Sequence, residues 1–384
     1  MRRRAFLVTG AALAAASATP LRAQQVSPFA RQLTLAVIVP LSGPLQAYGQ
    51  QVATGVQGAV DEANRYSLQS TFVFGMRSFD DQNSPAVGAT NVQVAVADPS
   101  IVAILGSLRP DVILSMLPQC ANTGFALLVP ATSADVITKR GYRNVFRLPT
   151  SNRMEGQLFA SSVLPKIKPS FALAVAQDSA YGREVARGFL AQATVDRHNT
   201  EVLPYAHGDD PAIVAQAIVQ KKVDYVFLCG VPSVLGPLAP ALRKAGYAGE
   251  FGAGDGFFAQ PTIKQFGVAL AGATIAAQLP PLGRAPSDAI ALVDYQQNFG
   301  AMTALSAYGY AAAQIAISAA QRSVTTSRFT LLQQLQMMGS YNTMVGPMSF
   351  TFTGDQTDPN IYLYKISGKR FTFDRAAHPT SFVT

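Results

Sequence analysis

Short apolar runs alternate with longer helical patterns along most of the chain. Residues 33–39, LTLAVIV, form the clearest run, and their apolar, β-branched character is typical of a parallel strand covered on both faces. A turn rich in glycine and proline follows, and from about Gly49 apolar positions recur at helical spacing. These positions are Val52, Val56, Ala59, Val60 and Ala63. The pattern predicts a βα unit whose turn crosses the carboxyl end of its strand, where open α/β sheets bind ligands.

The same alternation of strand and helix repeats over the remaining chain. Strands are predicted at residues 70–79, 100–106, 125–129 and 144–150, then at 171–176, 200–205, 223–229, 250–253 and 273–279. Helices are predicted at residues 84–97, 180–196, 211–221, 233–245, 261–266 and across 287–338, with strands again at 345–352, 361–366 and 370–373. This order predicts an α/β fold of two lobes, each a mainly parallel sheet flanked by helices.

The chain is predicted to pass between the two lobes three times. Residues 33–148 and 277–347 are assigned to an N-terminal lobe, and residues 149–276 and 348–384 to a C-terminal lobe. The crossings are expected near Leu148, Ala277 and Met348. Three extended segments make a hinge about which two rigid lobes can close.

Residues 1–23 have the pattern of a secretion signal, with a basic start, an alanine-rich apolar run and a small residue at the end. We expect cleavage near Ala23, with Ala18 as an alternative, and a mature protein in the periplasm. Arg3 and Arg4 resemble the twin-arginine export pattern, although the general secretory route fits as well. No later segment has about 18 uninterrupted apolar residues, so no membrane span is predicted.

Charge and cysteine content argue against several other functions. Four of the 30 basic residues lie in the first 23, which leaves 26 basic against 22 acidic residues, and no basic run is interleaved with aromatic residues. Nucleic-acid binding is therefore not expected. Cys120 and Cys229 fall in different predicted lobes, so neither a disulfide nor a cysteine metal site is expected. Asp80 and Asp81 suggest a helix cap more than a metal site.

The motifs of common enzymes are missing from the sequence. It contains no GxSxG nucleophile motif, no GxGxxG dinucleotide motif and no phosphate-binding GxxxxGK[ST] loop. His198, His207 and His378 are widely spread and are best explained as surface residues. We therefore expect a protein that is not an enzyme and has no cofactor.

Several segments, in order, resemble the leucine/isoleucine/valine-binding family of periplasmic substrate-binding proteins of ABC transporters. The resemblance spans residues 33–373 and is carried by PLSGPLQAYG, ILGSLRPDVILSM, DSAYGREVARGF, GEFGAGDGFF and VGPMSFTFTGDQTDPNIYLYKI. It implies a type I periplasmic-binding-protein fold, with the ligand held between the two lobes.

The resemblance also implies a set of ligand-binding residues. In amino-acid-binding members, the first lobe holds the ligand carboxylate through turns that correspond here to Pro110 and to Ala131, Thr132 and Ser133. The second lobe holds the α-amino group through a tyrosine and an acid, which match Tyr181 and Asp255, and Tyr48 matches a wall residue. Each has a plainer alternative, since Asp255 could be a turn acid and both tyrosines could be packing residues.

The sequence departs from the family pattern at Pro110. Proline supplies neither the hydroxyl nor the N–H that the family offers to a carboxylate. Arg109 could replace those donors or could point to solvent. Phe257 and Phe258 are expected to enlarge the apolar wall of the pocket. We therefore expect a larger, partly apolar or aromatic carboxylate, amide or amino-acid derivative to bind better than leucine, isoleucine or valine.

The function expected from these observations is a periplasmic solute-binding protein that delivers a small organic ligand to an ABC-type permease. A ligand-sensing receptor of the same fold is the alternative, and an enzyme on an α/β scaffold is the third hypothesis. We expect the protein to be a monomer whose partners are the ligand and the permease.

Overall fold

The computed structural model describes residues 30–65, 71–283, 286–324, 326–337 and 339–379, and for residues 286 and 287 the backbone alone. The predicted signal segment lies outside the described residues.

The first sheet is parallel and is formed near the start of the chain. Its strands are β1 (Arg31–Val39), β2 (Phe72–Asp80), β3 (Ile101–Gly106), β4 (Ala126–Val129) and β5 (Val145–Arg147). The helices between them are α1 (Gln46–Arg65), α2 (Pro85–Val96) and α3 (Pro110–Thr123). The strand order is β2-β1-β3-β4-β5, so β1 lies between β2 and β3 and is buried over most of its length. This confirms the predicted first βα unit.

The second sheet begins after the first crossing. Its strands are β6 (Ala172–Gln177), β7 (Thr200–Tyr205), β8 (Tyr225–Cys229), β9 (Glu250–Ala253), β10 (Thr274–Ala277), β11 (Ile361–Ser367) and β12 (Arg370–Ala377). Its helices are α4 (Asn152–Ile167), α5 (Ala180–Val195), α6 (Pro211–Gln220), α7 (Pro232–Leu235), α8 (Leu238–Lys244) and α9 (Gln260–Phe266). The order is β12-β11-β10-β9-β8-β6-β7. Strand β11 runs antiparallel to β10 and β12, and the other pairs are parallel.

Three further helices return to the first sheet. They are α10 (Pro286–Phe299), α11 (Ala304–Ser323) and α12 (Arg328–Gln336). The helical pattern predicted over residues 287–338 is therefore three separate helices. Residues of α11 and α12 share a buried core with β1 and α1.

Each sheet is covered by apolar side chains on both faces. On the first sheet, α1, α11 and α12 cover one face and α2 and α3 cover the other. On the second sheet, α4 and α5 cover one face and α6 and α8 cover the other. The two lobes therefore have separate cores, as the predicted α/β fold requires.

Helices α1 and α11 approach closely because glycines face each other's backbone. A Cβ atom at Gly55 would lie 2.0 Å from the carbonyl oxygen of Ser306, and one at Gly309 would lie 2.4 Å from that of Val52. Any side chain at these positions would push the helices apart. The first turn of α11 is held by Thr303 and Ser306, which cap it reciprocally. This close packing fixes the start of α11 beside the first sheet.

The predicted strand at residues 345–352 is wrong. The structure has isolated bridges there, Tyr341 to Met348 and Phe350 to Gln356, without a continuous strand. Apolar alternation in this segment reflects packing against the first lobe, since Met348 and Phe350 are both buried in its core. The ring of Phe350 contacts that of Phe146 with centroids 5.4 Å apart.

These contacts also bear on the third crossing. The side chain of Gln356 donates a hydrogen bond to the carbonyl of Leu148, at the end of the first lobe. The next strand, β11, begins at Ile361 in the second sheet. Ala277 likewise pairs with Tyr362 within the second sheet. We therefore place the third crossing after Gln356, later than Met348, and the second just after Ala277.

The three crossing segments are hydrogen-bonded to one another. The backbone N–H of Thr150 donates to Oε1 of Gln278 at 3.1 Å, and Nε2 of Gln278 donates to the carbonyl of Thr150 at 3.3 Å. The hydroxyl of Thr150 donates to the carbonyl of Asn360 at 2.6 Å. The segments therefore form one connected strip between the lobes.

Asp80 and Asp81 do not cap α2, which corrects the prediction. The cap is Ser84, whose hydroxyl accepts a backbone N–H of the first turn. Asp80 instead accepts the N–H of Leu41 at 2.8 Å, and the buried Asp81 accepts the hydroxyl of Ser107. The two carboxylates therefore fix the loops at the carboxyl ends of β1 and β3.

Both cysteines are free and buried, Cys120 in α3 and Cys229 in β8. They lie in different lobes, as predicted. Burial raises the pKa of both thiols well above the ordinary range, so they remain protonated.

Candidate ligand-binding cleft

A cavity of about 160 Å³ lies between the carboxyl ends of the two sheets. The first lobe contributes Pro130, Ala131 and Ser133 from the loop after β4, and Ala304, Leu305 and Tyr308 from the start of α11. The second lobe contributes Asp255 and Phe258 from the loop after β9. Pro149, Gln278 and Leu279 line the side formed by the crossing segments. The cavity therefore has walls from both lobes and from the strip that joins them.

Among the described residues that line this cavity, Asp255 is the one Asp, Glu, Lys, Arg or His side chain. It lies in a short 3₁₀ helix, Asp255–Phe257, which begins directly after β9. The hydroxyl of Tyr181 donates to its Oδ1 at 2.6 Å, and the backbone N–H of Gly256 donates to the Tyr181 oxygen at 3.1 Å. Tyr181 lies in the first turn of α5, whose cap is Ser179. The structure therefore brings the predicted tyrosine and acid together.

A second carboxyl group stands behind Asp255. Glu155 in α4 is fully buried, and its Oε1 accepts the backbone N–H of Asp255 at 2.7 Å. Its other oxygen, Oε2, has no hydrogen-bond partner. No helix was predicted at residues 152–167, so nothing in the sequence pattern marked Glu155.

The proton distribution over these groups follows from their burial. Burial and the neighbouring Asp255 raise the pKa of Glu155 well above its usual range. Burial also raises the pKa of Asp255, but the hydrogen bond from Tyr181 opposes that rise. Burial and the two carboxyls raise the pKa of the Tyr181 phenol, so it stays a donor. The burial and these hydrogen bonds therefore favour the proton on Glu155 and the negative charge on Asp255.

The loop after β4 contributes two of its three predicted residues to the cavity. Ala131 and Ser133 line it, and the Ser133 hydroxyl donates to Oδ1 of Asn152 at 2.5 Å. Thr132 is half-buried outside the lining, and its hydroxyl accepts the N–H of Ala134 at 3.4 Å. Because Asn152 begins α4, the bond from Ser133 joins the two lobes.

Arg109 does not line the cavity. Its guanidinium donates to both carboxylate oxygens of Asp111, at 2.9 and 2.5 Å, and the two side chains are nearly half exposed. The hydrogen bond from Arg109 lowers the pKa of Asp111. Of the two alternatives left open by the sequence, the solvent-facing arginine is the observed one.

Tyr48 and Phe257 also lie outside the cavity lining. Tyr48 is 51% exposed on α1, whereas Phe257 is fully buried in the core of the second lobe. Phe258 supplies the aromatic wall of the cavity instead. Its ring packs against the rings of Tyr364 and Phe371, with centroid distances of 4.5 and 4.6 Å.

Sequence reasoning missed the contribution of the crossing strip and of α11. Tyr308 lines the cavity and its hydroxyl donates to the carbonyl of Gln278 at 3.0 Å. The only available signal for α11 was a helix start after a polar turn, which does not specify the cavity it faces.

The part of the chain that the structure describes contains neither a candidate metal site nor a candidate membrane-spanning helix. There, no group of three His, Cys, Asp or Glu side chains could hold a metal ion. Over the same residues, no helix is both long and apolar enough to cross a bilayer.

Two lobes with separate cores, three connecting segments and a cavity between them define a two-lobed ligand-binding protein. Residues 32–370 match the sequence profile of the family described as Periplasmic binding protein. The chain therefore belongs to the periplasmic binding protein family. The predicted family and fold are confirmed.

Curated relatives agree with this assignment. The chain is 28% identical over 343 residues to the Leu/Ile/Val-binding protein BraC3 of Rhizobium johnstonii, which covers 87% of this chain and 91% of that protein. It is 25% identical over 228 residues to the Leu/Ile/Val-binding protein of Escherichia coli strain K12, which covers 58% and 61%. Both relatives are named as binding proteins.

Solved structures share the fold at low sequence identity. A putative branched-chain amino acid ABC transporter protein from Rhodospirillum rubrum has a TM-score of 0.79 and 20% identity, covering 90% of this chain and all of that one. The solute-binding protein of an ABC transporter from R. palustris, solved in complex with benzoate, has a TM-score of 0.72 and 17% identity. The match covers 91% of this chain and 97% of that one.

Proposed function

We propose that this protein is a periplasmic solute-binding protein that captures a small organic ligand between its lobes and delivers it to an ABC-type permease. The observation that carries the proposal is the cavity between the lobes, with walls from both and a carboxylate, Asp255, at its second-lobe side. Membership of the periplasmic binding protein family supports the same role.

The lining also narrows the ligand class. Among the described residues that line the cavity, Asp255 is the one that carries a charge. Asp255 favours an ammonium or another N–H donor. Leu279, Leu305 and Phe258 suit an apolar body. Because Asp255 would repel an acid that has no such donor, we propose an amine, an amide or an amino acid with an apolar side chain as the ligand, and not a plain carboxylate.

A ligand panel tests this proposal. Leucine, phenylalanine, benzylamine, phenylacetamide and benzoate are added to the purified mature protein, and binding is measured by thermal shift and calorimetry. A ligand present at 100 times its Kd stabilises by about 2.7 kcal/mol, which gives a clear rise in Tm. We expect stabilisation by donor-bearing compounds and none by benzoate. Binding of benzoate alone would overturn the proposed ligand class.

Closure and delivery need separate measurements. Solution scattering with a saturating compound from the panel should give a smaller radius of gyration if the three segments act as a hinge. An unchanged profile would argue against capture by closure. Loss of ligand uptake after deletion of the gene, with permease and ATPase genes beside it, would support transport over sensing.

Export to the periplasm rests on residues outside the described part of the chain. Replacing Arg3 and Arg4 with lysine should stop export if the twin-arginine route is used. Cell fractionation measures the mature protein. A normal periplasmic level in the double variant would assign export to the general secretory route.

A further inference from the structure

Glu155 stands directly behind the acid that lines the cavity, although it does not line the cavity itself. Its Oε1 accepts the backbone N–H of Asp255 at 2.7 Å. The same oxygen lies 3.5 Å from the Tyr181 hydroxyl, whose shorter bond, 2.6 Å, goes to Asp255. Glu155 therefore contacts both groups that are proposed to hold the ligand head group.

The surroundings of Glu155 do not suit a charged carboxylate. The residue is fully buried, and its Oε2 has no hydrogen-bond partner. Among the described residues, the titratable groups that shift the pKa of Glu155 or are shifted by it include Asp255, Tyr181 and Cys229, and these three are not cations. A buried carboxylate without a cation or a full set of donors is costly, whereas the neutral acid avoids the cost of a buried charge.

The glycine before Asp255 shows how closely this arrangement is packed. A Cβ atom at Gly254 would lie 2.6 Å from the Tyr181 hydroxyl and 2.9 Å from Oε1 of Glu155. A side chain at position 254 would displace these two groups, so glycine there lets the loop after β9 approach closely enough for Glu155 to hold the Asp255 amide.

We propose that Glu155 is a positioning residue that acts as a neutral carboxylic acid, fixing the Asp255 amide and thereby aiming the Asp255 carboxylate at the donor head group of the ligand. This inference rests on the proposed function for its effect on binding. Its effects on the free protein do not depend on any ligand.

Two variants of the full mature chain separate the parts of this proposal. In Glu155→Gln, the amide oxygen can accept the same N–H without a charge, whereas Glu155→Leu has no acceptor. Glu201→Gln is the matched control, because Glu201 is an exposed glutamate paired with Lys221 on the surface. Circular dichroism first checks that each variant is folded.

The first measurement is infrared difference spectroscopy of the ligand-free protein at pH 7. Subtracting the Glu155→Gln spectrum from that of the wild type should reveal a carboxylic-acid carbonyl band, and the Glu201→Gln control should reveal a carboxylate band. A carboxylate band for Glu155 would overturn its assignment as a neutral acid. This measurement stands even where Glu155→Leu fails to fold.

The second measurement is hydrogen exchange of the Asp255 amide in the free protein. Protection should be kept in Glu155→Gln and reduced about tenfold in Glu155→Leu, the change expected from one lost hydrogen bond. Equal protection in all three proteins, or equal loss in both variants, would overturn the positioning role.

The third measurement is the Kd for leucine and benzylamine. Glu155→Leu should weaken binding about tenfold, and Glu155→Gln should stay within about twofold of wild type. Unchanged Kd in Glu155→Leu would overturn the link to the head group. Should neither compound bind the wild type, the proposed function fails for these ligands, while the infrared band and the exchange rate still decide the role of Glu155.

Discussion

The two sides of the cavity differ in how they contact a ligand. The first-lobe side is neutral, built from small and apolar residues after β4 and from the start of α11. The second-lobe side presents Asp255, backed by Tyr181 and Glu155 in a network of short hydrogen bonds. The difference indicates that the first lobe shapes the ligand's body, whereas the second lobe selects and orients its head group.

The contrast has a structural cause. On the first-lobe side, the charged residues of the loops pair with each other away from the cavity, as Arg109 does with Asp111. On the second-lobe side, α4, α5 and the loop after β9 converge, so polar groups from three elements meet in a buried place. Directional selectivity therefore depends on the second lobe.

The largest effect that would test this contrast is expected from Asp255→Ala. Removing this carboxylate from the lining should weaken binding of leucine or benzylamine by about 1.5–3 kcal/mol, the scale of a hydrogen bond to a charged group. Asp111→Ala is the control, since it removes an exposed carboxylate from the first lobe. Calorimetry measures both. Equal affinities in wild type and Asp255→Ala would remove Asp255 from the site.

The next effect concerns pH and the folded state. Because the pKa of Glu155 is raised in the folded protein above its ordinary value of 4.5, the folded state binds more protons than the unfolded state above that pH. The contribution of Glu155 to stability therefore falls as pH rises from about 4.5 towards its folded pKa, by up to about 1.4 kcal/mol per pH unit.

Glu155→Gln should remove this dependence. The stability of the variant relative to wild type should increase with pH over that window, as measured by urea unfolding at a series of pH values. The exposed Glu201→Gln control should track wild type. Parallel curves for wild type and Glu155→Gln would mean that the pKa of Glu155 is not raised.

A smaller effect is expected from Tyr181→Phe. The change removes the hydroxyl that donates to Asp255 at 2.6 Å and leaves the ring in place. Binding of leucine should weaken by about 1 kcal/mol, the net worth of one hydrogen bond. Titration calorimetry gives the value. A loss as large as that of Asp255→Ala would instead mean that Tyr181 contacts the ligand directly.

The smallest effect is expected from Arg109→Gln. Its ion pair with Asp111 is nearly half exposed, so stability should change by less than about 0.5 kcal/mol, and ligand affinity should not change. Urea unfolding and calorimetry check both values. A marked loss of affinity for a carboxylate-bearing ligand such as leucine, but not for benzylamine, would place Arg109 in the site after all.

Much of the fold was predictable because it depends on local patterns. Apolar periodicity predicted strand β1, helix α1 and the alternation of strands with helices. This periodicity can be read from residues that are close together in the chain. Tyr181 and Asp255 were named from motifs, and the structure brings them into contact. At residues 345–352 the apolar alternation wrongly predicted a strand, because the alternating burial there comes from packing against the first lobe.

The sequence alone predicted most of the strands and helices, the two-lobed class and the family motifs, since each depends on residues that lie close together in the chain. It missed α4 and placed a strand at residues 345–352 that the structure lacks. The tertiary structure decided which of two adjacent phenylalanines faces the cavity, that Arg109 pairs with Asp111, and that Glu155 stands behind Asp255. The position of Glu155 behind Asp255 depends on contacts between residues that are far apart in the chain. The choice between the phenylalanines depends on a single 3₁₀ helix, which places Phe257 in the core and Phe258 at the cavity wall. Periodicity specifies which face of an element is buried, but only packing between elements specifies which side chains meet.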